Sequence, residues 1–200
     1  MLKCLNVKMT KGFTLMEIMV SVTASFLIIG AIIGLFISVN KSQKRILSSY
    51  ELLNQTGYAM EYMSRALRTA EKESGQGCLA SSGLNYEIPS VYQIGGNENL
   101  GTGLRFINHL ENDDCQEFFL DGEQLKYRKN IGTGSEQTLN LTSDNLQIID
   151  LKFNLQGQDQ NDNEQPVTTI LLTIQGGEES SKINIQTTIS QRNIDTYQMY

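Results

Sequence analysis

The sequence lacks tryptophan and has a single histidine, His109, so a histidine-based active site would depend on that one residue. Its three cysteines, Cys4, Cys78 and Cys115, form no C-x-x-C motif and no group with the spacing of a zinc site. No phosphate-binding loop, nucleophile–base arrangement or pair of catalytic carboxylates is visible. We therefore expect a protein that is not an enzyme, with no metal and no cofactor.

Basic residues are scarce after position 39. The chain has 16 Lys and Arg residues against 22 Asp and Glu residues. Three of the basic residues and one acidic residue precede position 40, so 13 basic and 21 acidic residues remain in 40–200, a net charge of −8. Non-specific binding to nucleic-acid phosphates usually needs a basic patch. We expect no nucleic-acid partner.

Charge is almost absent from residues 13–39, an apolar run of 27 residues in which Glu17 is the only charged side chain. A bilayer core takes about 20 helical residues, so this run is long enough to cross a membrane. It exceeds the apolar stretch of a secretory signal, which also ends at a small-residue cleavage site. Lysines and arginines flank both ends, so the positive-inside rule does not select an orientation.

Apolar residues continue beyond position 39 at helical spacings of three, four and seven. They are Ile46, Tyr50, Leu53, Met60, Met63 and Leu67. We expect this stripe to pack on a domain, and the helix to fade near Ser74, where "SGQGC" supplies two glycines.

The remaining sequence predicts strands and turns. "LRFIN" at 104–108 is a short β-prone run, and "EFFLDGEQLKYRKN" predicts a hairpin around Asp121 and Gly122. "LQIIDLKFNLQG" alternates, which places Ile149, Leu151, Phe153 and Leu155 on one face. "QPVTTILLTIQGG" and "SKINIQTTISQRN" predict a second hairpin through "GGEESS". The expected fold class is α+β, with an antiparallel sheet covering the helix stripe.

The segment "KGFTLMEIMVSV" at 11–22 resembles the class III signal of type IV pilins and pseudopilins. The resemblance implies a leader peptide at 1–12, cut between Gly12 and Phe13 by a prepilin peptidase that also N-methylates Phe13. It also makes Glu17 the glutamate used in filament assembly. Many major pilins have a proline at the position of Gly34, which would break the helix more strongly than glycine does.

The same resemblance implies a pilin-like architecture. Residues 13–39 would be the transmembrane half of a long helix, 40–74 its amphipathic extracytoplasmic half, and 75–200 a β-rich globular domain. "LDGEQLKYR", "LTSDNLQIIDLKF" and "NIQTTISQRN" are similar to J-type minor pseudopilins of type II secretion and to W-type minor pilins. The implied function is a structural subunit of a type IV pilus or a type II secretion pseudopilus.

Implied partners are the prepilin peptidase/N-methyltransferase, other pilin subunits through the N-terminal helix, and an inner-membrane assembly platform. The implied location is the inner membrane, crossed once, with the C-terminal domain extracytoplasmic and the subunit also found in the filament. The alternative function is a single-pass anchored binding module whose β domain recognises an exported substrate or a surface ligand. A plain anchor does not need "KGFTLME", which argues against the alternative.

The presence of Glu17 in the apolar run requires a physical reason, because an ionised carboxylate in hydrocarbon costs several kcal/mol unless it is paired. Cleavage after Gly12 would create a cationic amine at Phe13, which methylation preserves, and a neighbouring subunit's Glu17 could pair with it. The alternative is that Glu17 reaches the nearby headgroups. Gly30 and Gly34 form a G-x-x-x-G pattern, compatible with close helix packing or with ordinary helix flexibility.

Cys78 and Cys115 are a disulfide candidate if the polar domain is exported, and two free buried thiols otherwise. The remaining polar groups are interpreted as structural or solvated: His109 with Glu111, Asp113 and Asp114; Asp159, Asp162 and Glu164 in loop 157–166; and Arg192. One histidine is too few for a typical zinc site, and the acidic loop does not have EF-hand spacing. Arg192 is expected to form an ion pair or a cap.

Overall fold

The computed structural model describes residues 12–158, 164–176 and 182–192. It contains one α-helix, α1, at Leu15–Arg68. Eleven strands follow: β1 Ala70–Glu71, β2 Tyr86–Glu87, β3 Gln93–Ile94, β4 Asn97–Gly101, β5 Gly103–Asn108, β6 Asp114–Asp121, β7 Gln124–Lys129, β8 Gln137–Asn140, β9 Leu146–Gln156, β10 Val167–Gly176 and β11 Lys182–Ser190. The α+β prediction, with a long N-terminal apolar helix and antiparallel sheets, is confirmed.

The chain divides into two compact units, residues 1–46 and 47–200. In the described part of the first unit, from Gly12 on, every side chain is exposed except the half-buried Asn40. Most of these residues are helical and apolar. The described part of this unit therefore has almost no core of its own.

The second unit contains the end of α1 and two antiparallel sheets where the sequence predicted one. In the first sheet the order is β1-β5-β6-β7-β8, and β2 also pairs with β5. In the second the order is β11-β10-β9-β4-β3. The predicted turn at Asp121 and Gly122 joins β6 to β7, with Gly122 at φ +62°. β10 and β11 pair as expected, although their connection lies outside the described residues.

The helix face that packs into the core differs from the predicted stripe. Tyr50 and Leu53 are 64% and 54% exposed, and Ile46 is exposed too, so these three were predicted wrongly. Met60 is half-buried. The buried positions are Leu52, Thr56, Ala59, Met63, Ala66 and Leu67. Apolar residues occur on more than one side of this helix, so spacing alone did not identify the side that the sheets cover.

Helix α1 ends at Arg68, six residues before the predicted Ser74. Ala70 and Glu71 pair with β5 instead of continuing the helix, opposite Asn108 and Ile107. The last helical carbonyls accept hydrogen bonds from three separate segments. The Thr69 hydroxyl lies 2.8 Å from Ala66 O, and the Tyr86 hydroxyl donates to Leu67 O at 2.7 Å. The Arg192 amide donates to Arg68 O at 2.7 Å. Tertiary pairing therefore fixes the end of this helix.

The alternation predicted for β9 is interrupted by a bulge. Ile148 and Leu151 are buried, but Ile149 is 47% exposed and does not share their face. The register against β10 shifts between Thr173 and Ile174, which leaves one extra residue in β9. A bulge moves one residue out of the two-residue period, and this accounts for the wrong placement of Ile149.

Glu117 lies fully buried at the centre of the first sheet, directly opposite Arg105 on β5 and Arg128 on β7. Its Oε2 accepts two hydrogen bonds from the Arg105 guanidinium, at 2.9 and 2.7 Å. Its Oε1 accepts from Arg128 at 3.3 Å and from the Tyr92 hydroxyl at 3.0 Å. Burial, together with the Glu117 charge, raises the pKa of Tyr92 to about 12. The buried carboxylate is thus fully paired, as its low-dielectric surroundings require.

Candidate functional site

The N-terminal end of α1 begins with a reciprocal cap. Thr14 precedes the first helical residue, and the Glu17 amide donates to Thr14 Oγ1 at 3.3 Å. The Thr14 amide donates in return to Glu17 Oε2 at 3.3 Å. These are the two bonds of a capping box, whose sequence signature is Ser or Thr followed three residues later by Glu or Gln. "TLME" has this signature, which was not among the predictions made from the sequence.

The cap leaves part of the Glu17 carboxylate available. Both contacts from Thr14 reach Oε2, and Oε1 accepts no hydrogen bond from the described residues. The carboxylate also lies in the first turn of the helix, where the helix dipole favours negative charge. Glu17 therefore has a local structural role and a free acceptor atom for a cationic partner.

Gly12 and Phe13 precede the helix and belong to no regular secondary structure. Phe13 is 81% exposed. A Cβ built on Gly12 would meet no atom within 4 Å. The peptide bond between them is accessible, and larger side chains at Gly12 would not collide with the described chain.

Within the described residues, α1 is the one helix long and apolar enough to cross a membrane, with a mean hydropathy of 2.5 in its best 18-residue window. None of that window is buried by the rest of the chain. Gly30 and Gly34 have open space where a Cβ would be, so neither serves close packing within the described chain. The apolar surface is available to lipid or to other helices.

Cys78 and Cys115 form a disulfide, with their Cα atoms 5.6 Å apart and a sequence separation of 37 residues. The bond joins β6 to the loop that follows β1. Glu73 organises the same loop: its carboxylate is 3% exposed and accepts five backbone N–H groups. The two cysteines were a disulfide candidate from the sequence, whereas no sequence pattern indicated the role of Glu73.

His109 lies between two carboxylates. Its Nδ1 is 2.9 Å from Asp113 Oδ1 and 2.9 Å from Glu71 Oε2. The hydrogen bond with Asp113 and the negative charges of Glu71 and Asp113 raise the pKa of His109. Of the acids that follow it in sequence, Asp113 joins this group, whereas Glu111 and Asp114 accept hydrogen bonds from Gln116. Glu71 was missed because only the pairing of β1 with β5 brings it near His109.

Arg192 contributes its amide to the end of α1, as described above. It also lines a cavity of about 410 Å³ together with Arg68, Thr69, Ala70, Glu71, His109 and Leu110. Of the acidic loop at 157–166, Asp159 and Asp162 lie outside the described residues, and Glu164 is exposed. This cavity therefore brings His109 and Arg192 together with Glu71 and Arg68.

No protein-family model matches the chain, and neither a curated protein nor a solved structure matches it. The residues and contacts of this chain alone therefore bear on its function.

Proposed function

We propose that this protein is a minor pilin or pseudopilin, a structural subunit that is assembled into a type IV pilus or a type II secretion pseudopilus after leader cleavage and N-methylation. The observation that supports the proposal concerns the start of α1 and the two residues before it. An accessible Gly12–Phe13 bond stands directly before a capped helix that has Glu17 in its first turn and a bare apolar surface beyond it. The resemblance of three segments to J-type pseudopilins and W-type pilins favours these subtypes.

The proposed role of Glu17 follows from its charge. Cleavage after Gly12 creates an ammonium group at Phe13, and a methylated secondary amine keeps that charge. Glu17 Oε1 accepts no bond from the described chain, so it can receive the Phe13 amine of a neighbouring subunit. In the low dielectric of a membrane or filament core, this pairing offsets the cost of burying both charges.

The proposed partners are the prepilin peptidase/N-methyltransferase, other subunits that pack along α1, and an inner-membrane assembly platform. The apolar window of α1 supports this choice, because none of that window is buried inside the described chain. The protein acts as a substrate of the peptidase and not as an enzyme. It crosses the inner membrane once and carries its β domain outside the cytoplasm, where a Cys78–Cys115 disulfide can persist.

Intact-mass measurement on protein extracted from membranes tests the proposal. We expect a chain that starts at Phe13 and carries one added methyl group. Gly12→Leu should block maturation and Gly12→Ala should permit it, since the resemblance implies that the peptidase requires a small residue. Neither side chain meets an atom of the described chain, so misfolding does not confuse the comparison. A wild-type chain that still starts at Met1 would refute the proposal and favour a membrane-anchored binding module.

A further inference from the structure

We propose that Glu71, His109 and Asp113 form a binding site for a divalent transition-metal ion such as Zn²⁺. The ligand atoms are Glu71 Oε2, His109 Nδ1 and Asp113 Oδ1, which all lie within 4.8 Å of one another. One imidazole nitrogen and two carboxylate oxygens are ligand types that Zn²⁺ accepts. The proposal departs from the expectation of no metal drawn from the sequence, because the pairing of β1 with β5 adds Glu71 to the group. This inference is independent of the filament proposal.

The distances suit a small ion. Tetrahedral ligands about 2.1 Å from zinc lie about 3.4 Å from one another. The nitrogen is 2.9 Å from each carboxylate oxygen, so both contacts would lengthen by about half an ångström. His109 is 63% exposed and both carboxylates are partly exposed, so these side chains have room to adjust.

The backbone holds the three ligands on neighbouring segments. Glu71 lies on β1, opposite Ile107 of β5, and the His109 amide donates to Thr69 O at 3.2 Å. Asn108 fixes the turn that begins at His109, because its Oδ1 accepts from the Leu110 amide at 3.1 Å. Such support keeps ligands close together before an ion arrives.

The imidazole nitrogen faces two acceptors but can carry only one proton. A metal ion placed between these three atoms would bind the nitrogen lone pair and both carboxylates at once.

The site opens on one side to the cavity of about 410 Å³, which Glu71 and His109 both line. A three-ligand site beside such a space leaves a coordination position for water or another ligand. Arg68 and Arg192 line the same cavity. Their charge opposes a second cation, and we expect any non-water ligand there to be an anion.

Zn²⁺ titration of the full-length, tag-free, metal-stripped protein in detergent, by calorimetry, tests the site. The background should be Cys4→Ser, because a free thiol is a competing zinc ligand. The chain has one histidine, so a histidine-selective nuclear magnetic resonance signal reports on His109 alone. We expect one ion per chain and a change in that signal on binding.

Three variants, His109→Ala, Glu71→Gln and Asp113→Asn, should each weaken binding by about tenfold or more. Asp113 has φ +57°, a conformation that asparagine also tolerates, so this variant should keep the backbone. Glu98→Gln is the matched control, since it removes one charge from an exposed position on β4. The site is refuted if saturable binding is absent up to about 1 mM Zn²⁺, or if the three variants bind as the wild type does.

Discussion

Replacement of Glu73 by glutamine tests whether one buried carboxylate holds the loop that carries Cys78. Five backbone amides donate to this carboxylate: Gly75, Gln76 and Gly77 to Oε1, and Cys78 and Leu79 to Oε2. Glutamine keeps the shape but replaces one oxygen with an NH₂ group. In either orientation, at least two amides then face another donor.

The expected loss can be estimated from those two amides. Each buried N–H left without an acceptor costs about 1–3 kcal/mol, which gives about 2–6 kcal/mol for the pair. Gly75, Gln76 and Gly77 are exposed, so water can reach part of the loop and reduce the penalty. We therefore expect Glu73→Gln to lower the free energy of unfolding by about 2–4 kcal/mol near pH 7.

The effect should depend on pH in a defined direction. Burial raises the pKa of Glu73, but the backbone hydrogen bonds lower it by more, so the pKa lies below its ordinary value of 4.5. A carboxyl group with a lowered pKa in the folded state stabilises the protein above its unfolded pKa. That stabilisation is lost as the pH falls through the folded value. The difference between wild type and Glu73→Gln should thus be constant near neutral pH and shrink below about pH 4.5.

Two measurements on the full chain in detergent check this prediction. Urea unfolding followed by circular dichroism gives the global loss, and hydrogen exchange at residues 75–79 gives the local one. Glu98→Gln serves as the control, because it removes a charge from an exposed strand position. The reasoning fails if Glu73→Gln unfolds within about 0.5 kcal/mol of wild type and its loop amides exchange at the wild-type rate.

Three further changes probe other parts of the molecule. Glu17→Gln should keep the helix cap but lose the negative charge. The variant should be processed and remain in the membrane, but chemical cross-linking should not detect it in filaments. Normal assembly would exclude a role for the charge. Reduction of the Cys78–Cys115 disulfide should cost about 4 kcal/mol in the chain-entropy model, and an unchanged urea midpoint with dithiothreitol would contradict this. Gly103→Ala should destabilise by about 1–3 kcal/mol in the same assay, because its Cβ would lie 2.5 Å from the Tyr92 ring; a wild-type midpoint would show that the ring moves aside.

Short-range patterns predicted the elements that depend on neighbouring residues. Residues 15–39 of the apolar run are helical and exposed, and the turn at Gly122 joins two paired strands. Both follow from local chemistry, since a helix in lipid satisfies its backbone hydrogen bonds within its own segment and Asp-Gly favours a tight hairpin turn. The capping box at Thr14 was equally local, and reading "TLME" as a helix start would have found it.

Where apolar residues lie on more than one side of a helix or strand, the sequence pattern does not show which side is buried. Leu53 is as apolar as Leu52, yet only Leu52 is buried, because the sheets cover one side of the helix. The bulge at Ile149 depends on how β9 pairs with β10, and no residue type in β9 predicts it. These outcomes depend on partners that are distant in the sequence.

The sequence by itself determined the apolar helix, the position of Glu17 in its first turn and the hairpin turn at Gly122, because each depends on residues within a few positions of one another. Only the tertiary structure decided which helix face is buried, where the helix ends, and that Glu71 meets His109. The physical reason is that two residues of β1 pair with β5 nearly forty positions later, and a strand so short has no periodic signal of its own. Such contacts exist only after the sheet has formed.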